Sequence, residues 1–203
     1  MLRRSLAFLG ILVFSAFVLV GFSNTAASDQ DTLLLIKLYA QETSFWCWAA
    51  CGQMVSTYLK NPIKQCVQVQ DLYYRLGSGC CGSNIPRKCL LGLCKDPLCL
   101  YWLKQYKFTY KITPLNGHLT WDEIKDEITN NRPFIFAWTW DGKNFSHMMV
   151  GMGYKTVRNK NYVEVFDPGP TKRGSHYFIT YDAYDAGAHY THGVDIYNLK
   201  LTK

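Results

Sequence analysis

Residues 41–53, QETSFWCWAACGQ, place a cysteine between two tryptophans at the start of a segment with helical periodicity. Apolar residues recur at helical spacing from Cys47, and Asn61-Pro62 ends the pattern, so the sequence predicts a helix that begins near Cys47. Thr43 or Ser44 is predicted to cap the start of this helix. Whether Cys47 is half of a disulfide or a nucleophile decides how the rest of the chain is interpreted.

The N-terminal residues 1–28 have the layout of a secretory signal. Two arginines are followed by an apolar run over residues 6–22 and then by small polar residues, which is typical of a signal that is cleaved near Ala27 or Ser28. The apolar run is long for a signal, so an uncleaved membrane anchor is the alternative. We expect an exported protein, secreted or periplasmic, that contacts a membrane only if this segment is uncleaved.

The eight cysteines of an exported chain favour disulfides. If one cysteine is a free thiol, an odd number remains, so at least one further cysteine is unpaired. A zinc site at Cys89, Cys94 and Cys99 is the alternative, but their spacing matches no zinc-knuckle or iron–sulfur pattern, and no histidine lies among them. We therefore expect disulfides of unknown connectivity, with no metal and no cofactor.

The positive charge of the chain does not point to nucleic acid. The formal net charge of +7 includes Arg3 and Arg4, which leaves +5 for residues 29–203. The basic residues are spread along the chain and form no block that alternates with aromatic residues. We expect residues 29–203 to form one domain that functions as a monomer and does not bind nucleic acid.

The predicted secondary structure changes in character along the chain. A buried strand is predicted over residues 33–40, and helices are predicted from Cys47, over 67–76, over 98–106, and from a Thr120–Glu123 capping box to Asn130. Beyond Pro133, segments rich in β-branched and aromatic residues predict strands over 134–140, 147–154, 162–166, 176–180 and 194–201. Helices first and antiparallel strands second are the pattern of an α+β fold.

Cys47 is the best candidate nucleophile among the eight cysteines. In the first turn of a helix, backbone N–H groups and the positive end of the helix dipole favour the thiolate, which is the reactive form. A cysteine nucleophile also needs a base. Of the five histidines, His147 opens an almost continuous apolar strand, which places its ring at the edge of the core. A hydrogen-bonded histidine at a strand end is the structural alternative.

Asp167 and Gln41 complete the candidate site. Asp167 ends the predicted strand that follows the His147 strand and precedes a Pro-Gly-Pro turn. If the two strands form a hairpin, the carboxylate can accept a hydrogen bond from the imidazole and fix its tautomer; an ordinary Asp-Pro turn is the alternative. Gln41, six residues before Cys47, offers a side-chain amide that can stabilise an oxyanion together with a backbone N–H.

These residues resemble a family of enzymes. Gln41, Cys47-Trp48-Ala49 at a helix start, His147 at the head of an apolar strand and Asp167 after the next strand resemble the papain-like cysteine peptidases, above all a compact bacterial group with a Cys-Trp-Ala-Ala motif and a Cys-His-Asp triad. The resemblance covers residues 34–170. It implies a papain-like fold of two lobes, a helical lobe over 33–118 that carries Cys47 and an antiparallel sheet lobe over 119–203.

The resemblance implies a role for each residue of the site. Cys47 is the nucleophile, His147 the general base and acid, Asp167 the residue that orients His147, and Gln41 a donor in the oxyanion hole. The implied reaction is hydrolysis of a peptide or protein substrate through a thioester on Cys47. The resemblance also implies disulfides across the insertion that contains the vicinal Cys80-Cys81.

The chain departs from papain near the triad. Ser44-Phe45-Trp46 stands where papain has Cys-Gly-Ser, the orienting residue is Asp rather than Asn, and Cys47 and His147 are only 100 residues apart. Two alternatives fit the same residues. One is an acyl-transfer enzyme or amidase, such as a transglutaminase-like protein, and the other is a catalytically silent papain-like module that binds peptide.

Several other residues allow a structural and a functional interpretation. Cys51 is expected to face the interior as a small apolar residue or a disulfide partner. His189 and His192 have the spacing of a metal pair, although surface histidines are the preferred interpretation. Four tryptophans are candidates for walls of a substrate cleft, although aromatic residues usually belong to the core: Trp46, Trp48, Trp138 and Trp140.

Overall fold

The computed structural model describes residues 31–72, 79–90, 101–143 and 145–202. The helices in these ranges are α1 (Cys47–Tyr58), α2 (Gln65–Leu72), α3 (Arg87–Leu90), α4 (Tyr101–Gln105), α5 (Trp121–Thr129) and α6 (Tyr181–Asp185). The strands are β1 (Asp31–Leu33), β2 (Phe108–Ile112), β3 (Phe134–Trp140), β4 (Ser146–Val157), β5 (Lys160–Asp167), β6 (Ser175–Thr180), β7 (Ala186–Gly187) and β8 (Tyr190–Leu201). This combination of helices and strands confirms the α+β prediction.

The described strands pair into one antiparallel sheet. The strand order is β2-β8-β3-β4-β5-β6, with β1 paired to β4 and β7 paired to β8. β4 and β5 form the hairpin that the candidate site requires, with Val150 opposite Phe166 and Tyr154 opposite Val163. Since the strands run in opposite directions, the start of β4 lies beside the end of β5.

Most of the predicted strands are present, one needs correction, and two strands, β2 and the short β7, were not predicted. The strand predicted over residues 33–40 is wrong beyond Leu33, because the chain then leaves β4 and continues without regular structure, although Leu34 N still donates to Met152 O at 2.8 Å. The prediction missed β2. Its partner in the sheet, β8, lies far away in the sequence, near the end of the domain. A strand whose partner is so distant in sequence has no local signal beyond its own composition.

The sheet extends across the predicted boundary between the lobes. β2 lies within residues 33–118, the predicted helical lobe, yet it forms an edge of the sheet beside β8. β1 likewise pairs with β4, with Thr32 opposite Tyr154. The sheet is therefore built from both halves of the chain.

The two predicted helix starts have different outcomes. The capping box of α5 is confirmed, because Thr120 Oγ1 accepts from Glu123 N at 3.3 Å and Glu123 Oε2 accepts from Thr120 N at 2.8 Å. The predicted cap of α1 is wrong. Trp46 occupies the N-cap position without a side-chain cap, and its buried indole donates from Nε1 to Cys89 O at 2.8 Å. Burial of the indole ring fixes the start of α1 where a cap would otherwise do so.

Two disulfides confirm the prediction of disulfides across the insertion that contains Cys80 and Cys81. Cys66 in α2 bonds to Cys81, and Cys80 bonds to Cys89 in α3. Cys89 is therefore not free to be a zinc ligand, and Cys94 and Cys99 lie outside the described residues. Residues 73–76 and 98–100 of the helices predicted over 67–76 and 98–106 also lie outside them, and so does the whole of the predicted signal. Within the described ranges, no helix has the length and apolar character that a membrane span requires.

A buried carboxylate links β8 to the segment before α5 and to α6. Asp195 is fully buried, and its oxygens accept from Leu119 N at 2.7 Å and from the Tyr184 hydroxyl at 2.6 Å. His192 Nε2 lies 3.2 Å from the same carboxylate. Burial lowers the pKa of His192, but Asp195 outweighs this effect and the pKa is raised overall. His192 is only 2% exposed, so the interpretation of it as a surface histidine is wrong.

Replacing Asp195→Ala is expected to lower the free energy of unfolding by about 3 kcal/mol, because the Leu119 amide and the Tyr184 hydroxyl would remain buried without their acceptor and His192 would lose its neighbouring carboxylate. Urea denaturation followed by far-UV circular dichroism measures this change. Asp141→Ala removes an exposed carboxylate in the β3–β4 turn and is the matched control, with almost no expected effect. Equal stability of the two variants would contradict the prediction.

Candidate active site

Cys47 is the first residue of α1, and its side chain is half-buried. Both Cys47 and Cys51 are free thiols. α1 packs against β4, which brings the helix start to the strand that carries His147. Cys51 lies one turn further along α1 and is fully buried; burial, helped by the nearby Cys47 and Asp167, raises the pKa of its thiol well above the ordinary value. Cys51 is therefore an interior residue, whereas Cys47 is accessible.

His147 lies between Asp167 and Cys47. It is the second residue of β4, opposite Trp138 in β3. Its Nε2 is 2.6 Å from Asp167 Oδ1, and the ring is also within hydrogen-bonding reach of the Cys47 sulfur. Because Nε2 faces the carboxylate, Nδ1 is the ring nitrogen left for the sulfur. The structure thus brings three of the four predicted residues into one series, in which His147 is hydrogen-bonded to Asp167 and interacts with Cys47 on its other side.

Burial and the two neighbours of the ring, Asp167 and Cys47, determine the pKa of His147. Burial lowers the pKa of the ring, but hydrogen bonds and charge interactions with Asp167 and Cys47 outweigh burial and raise the pKa to about 10. The ring therefore keeps its proton at neutral pH. A protonated imidazole beside a cysteine sulfur is the arrangement that stabilises a thiolate.

Asp167 ends β5 and has donors on both carboxylate oxygens. Oδ1 accepts from His147 and from Gly169 N at 2.7 Å, and Oδ2 accepts from the Tyr177 hydroxyl at 3.0 Å. Burial raises the pKa of Asp167, but these three donors and the charge of His147 outweigh it and the pKa is lowered overall. A side chain on Gly169 would place its Cβ 3.2 Å from Oδ1, so the glycine permits the turn to close over the carboxylate.

Gln41 is buried, and the chain on both sides of it is held in place. Gln65 of α2 donates from Nε2 to Ala40 O at 2.8 Å and accepts from Glu42 N at 2.9 Å. The backbone of Gln41 itself pairs with the turn after Asp167, donating to Pro168 O at 2.9 Å and accepting from Lys172 N at 2.9 Å. This pairing fixes the position of Gln41 relative to the end of β5.

The side-chain amide of Gln41 also contacts that turn. Nε2 donates to Thr171 Oγ1 at 3.1 Å and, over a longer distance of 3.3 Å, to Ser44 O. Ser44 belongs to the segment that leads into α1, so the amide lies between the turn and the segment that precedes Cys47. Oε1 is buried and has no hydrogen-bond partner among the described residues.

Two contributors to the site were not predicted. Tyr177 reaches Asp167 from β6, and Gln65 holds the backbone around Gln41. A tyrosine in a strand and a glutamine in a helix are ordinary residues in those elements, so neither carries a signal in a single sequence. Their roles become visible only once the strand register and the packing of α2 are known.

Three of the four tryptophans proposed as cleft walls belong to the core. Trp46, Trp48 and Trp138 are at most 7% exposed, so they are not available to a substrate. Trp140 is partly exposed and contacts Trp138 and Tyr190 edge-on. In the part of the chain that the structure describes, no three His, Cys, Asp or Glu side chains are grouped so that they could hold a metal ion.

Comparison with known proteins identifies one family. A model of the Peptidase_C39 like family matches residues 33–195, a range that includes Gln41, Cys47, His147 and Asp167. No curated protein matches the chain.

Iodoacetamide is expected to modify Cys47 in the native protein and to leave Cys51 unmodified, because Cys51 is fully buried and has a raised thiol pKa. Peptide mapping by mass spectrometry after brief labelling at about pH 6 measures the modification, since only an activated thiol reacts quickly there. His147→Ala should slow labelling of Cys47 by removing the protonated ring beside the sulfur. Labelling of Cys51 in preference to Cys47 would contradict the assignment.

Proposed function

The chain belongs to the Peptidase_C39 like family, and on that premise we propose that it is a cysteine peptidase that hydrolyses peptide bonds through an acyl-enzyme on Cys47. The family relates the chain to papain-like cysteine peptidases. The observation that carries the proposal is the series Cys47–His147–Asp167, in which a ring with a pKa of about 10 lies between a sulfur and a carboxylate. That is the arrangement of a nucleophile, a base and an orienting group.

Acylation begins with attack of the Cys47 thiolate on the carbonyl carbon of the substrate. A C–S bond forms and the carbonyl π electrons move to oxygen, which gives a tetrahedral intermediate with an oxyanion. His147 then gives its Nδ1 proton to the leaving amine as the C–N bond breaks and the carbonyl re-forms. The amine product leaves, and the acyl group remains on sulfur as a thioester.

Deacylation reverses these proton movements with water as the nucleophile. His147, now neutral, accepts a proton from water as its oxygen attacks the thioester carbonyl. The C–S bond breaks, the carboxylic acid product is released, and the thiolate and protonated ring are restored. Asp167 keeps Nε2 of the ring occupied throughout, so that Nδ1 faces the reaction.

The oxyanion has two candidate donors. The backbone N–H of Cys47 lies at the start of α1, where helix amides have no partner within the helix. The Gln41 amide lies beside the segment leading into α1, and its 3.3 Å contact with Ser44 O is long enough to be exchanged for a stronger bond to a developing negative charge. Thr171 and Gln65 hold the amide and its backbone so that little reorganisation is needed.

The site is supplied from two parts of the chain, in agreement with a papain-like arrangement. The segment leading into α1 and the start of α1 contribute Gln41 and Cys47, whereas β4 and β5 contribute His147 and Asp167. The substrate is a peptide or protein bound where the start of α1 meets β4 and β5. We place the enzyme in an exported, oxidising location, a proposal supported by the two disulfides and by the predicted signal over residues 1–28.

Cys47→Ala and His147→Ala are each expected to lower the rate of peptide hydrolysis by more than about a thousandfold, because either change removes a member of the catalytic series. Turnover of a peptide library, read by mass spectrometry, measures this loss. Cys51→Ala is the matched control and should retain activity. If the wild-type protein does not hydrolyse peptides but forms new amide bonds when an amine acceptor is added, it is an acyl-transfer enzyme and not a peptidase.

The pH dependence follows from His147 and Asp167. Below about pH 10 the ring is protonated, so kcat/KM for peptide hydrolysis should fall as the pH rises through about 10 and the ring loses its proton. On the acid side, activity should fall where Asp167 becomes protonated, and the lowered pKa of Asp167 places this loss below the ordinary range of an aspartate. Activity lost on passing from pH 6 to pH 7, near the ordinary pKa of histidine, would contradict the proposed ion pair.

Gln41→Ala is expected to lower kcat about a hundredfold or more with a smaller effect on KM, because an oxyanion donor acts in the transition state. Steady-state kinetics on a cleaved library peptide measure the two constants. Gln70→Ala, which changes a partly exposed glutamine of α2, is the control and should leave both constants unchanged. A rise in KM at constant kcat would show that Gln41 binds the ground state and the transition state equally, which would contradict a role in the oxyanion hole.

A further inference from the structure

Among the described residues, the hydroxyl of Tyr177 is the hydrogen-bond donor to Oδ2 of Asp167. It lies 3.0 Å from Oδ2, whereas the other two donors, His147 Nε2 and Gly169 N, both bond to Oδ1. The Asp167 side chain is 18% exposed, so water has limited access to Oδ2. Without the hydroxyl, one oxygen of a charged carboxylate would lose its protein donor.

We propose that Tyr177 is a positioning residue for the reaction: its hydroxyl fixes the rotation of the Asp167 carboxylate, and through it the orientation of His147 toward Cys47. The inference rests on the proposed peptidase function and adds a fourth side chain to the series that carries it. Tyr177 does not touch the reacting atoms.

The strand register explains how Tyr177 reaches the carboxylate. β5 and β6 pair antiparallel, with Asp167 opposite Ser175 and Val165 opposite Tyr177. Asp167 and Tyr177 are therefore diagonal neighbours on one face of the sheet, a separation that an aromatic side chain can span. Because both residues belong to paired strands, the hydroxyl is held by the sheet and not by a loop.

The Tyr177 hydroxyl has two possible acceptors, and it donates its hydrogen bond to Asp167. Met149 Sδ is a second acceptor at 3.5 Å, but a thioether is a weak acceptor, and a carboxylate at 3.0 Å forms a stronger, charge-assisted bond. Burial, together with the charge of Asp167, raises the pKa of Tyr177, so the phenol remains a donor over the pH range of an assay.

The bond has two effects on the site. It stabilises the ionised carboxylate, contributing to the lowered pKa of Asp167. It also leaves Oδ1 as the oxygen that faces His147, at 2.6 Å. If the hydroxyl is removed, the carboxylate can rotate about its Cβ–Cγ bond and protonates more readily, and the ring loses a fixed partner.

The titratable groups around Asp167 come from three elements. His147 faces it from β4, Tyr177 from β6, and Cys51 from α1, with Cys47 on the far side of the imidazole ring. Tyr190 of β8 in turn faces Tyr177. Of these groups, Tyr177→Phe changes only the one that donates to Oδ2.

The test compares Tyr177→Phe with Tyr181→Phe. Tyr181 is the matched control, because its hydroxyl also donates a hydrogen bond, to Leu119 O at 2.9 Å, but that bond lies away from the triad. Tyr177→Phe is expected to lower kcat about tenfold with KM unchanged, and to move the acid limb of the pH profile to higher pH. Tyr181→Phe should keep the wild-type kcat and the wild-type acid limb.

Alkylation of Cys47 by iodoacetamide is a second measurement, which does not require peptide turnover. The pH at which labelling becomes slow on the acid side should be higher in Tyr177→Phe than in wild type and in Tyr181→Phe. If wild type labels as expected but cleaves no peptide, the peptidase proposal fails while the role of Tyr177 is still tested.

Two results would overturn the inference. One is a Tyr177→Phe protein with the wild-type kcat and acid limb. The other is an equal loss of kcat in the two variants without any shift of the acid limb, which would mean that each hydroxyl serves only to stabilise the fold.

Discussion

The hydrogen bond between His147 Nε2 and Asp167 Oδ1, 2.6 Å long, is the contact on which the candidate site depends. It joins the start of β4 to the end of β5 at the open end of a hairpin, so its length is set by the register of the whole strand pair. It also determines which ring nitrogen is left for Cys47 and overcomes the effect of burial on the charge of the ring. The helix that carries Cys47 is held against the same strand. Fold and chemistry therefore share one constraint.

Much of this arrangement can be predicted from local patterns in the sequence. The almost continuous apolar run that begins at His147, the turn signal after Asp167 and the helical periodicity from Cys47 each identify an element, and chain order suggested the hairpin that joins two of them. The parts that could not be predicted depend on contacts between distant residues. The register that brings Tyr177 to Asp167 and the partner of each cysteine have no local signal, and burial of the Trp46 indole replaced the expected cap of α1.

The cysteines show how environment divides one residue type into several roles. Cys47, at a helix start and beside the His147 ring, is accessible, whereas Cys51 on the same helix is buried, and burial raises the pKa of its thiol. Cys80 and Cys89 close a small loop whose second cysteine also accepts, through its carbonyl, the bond that fixes Trp46. The disulfide loop thus supports the residue immediately before Cys47.

The backbone of Gln41 is paired on both sides with the turn that begins at Pro168, and its amide bonds to Thr171 in the same turn. The Gln41 amide and the Asp167 carboxylate, for which we propose the roles of oxyanion donor and orienting group, are therefore held by the same turn. A change in the length of that turn would displace both together. In the proposed mechanism, proton transfer and oxyanion stabilisation cannot be tuned separately through this turn, which limits how far its length can vary while both are kept.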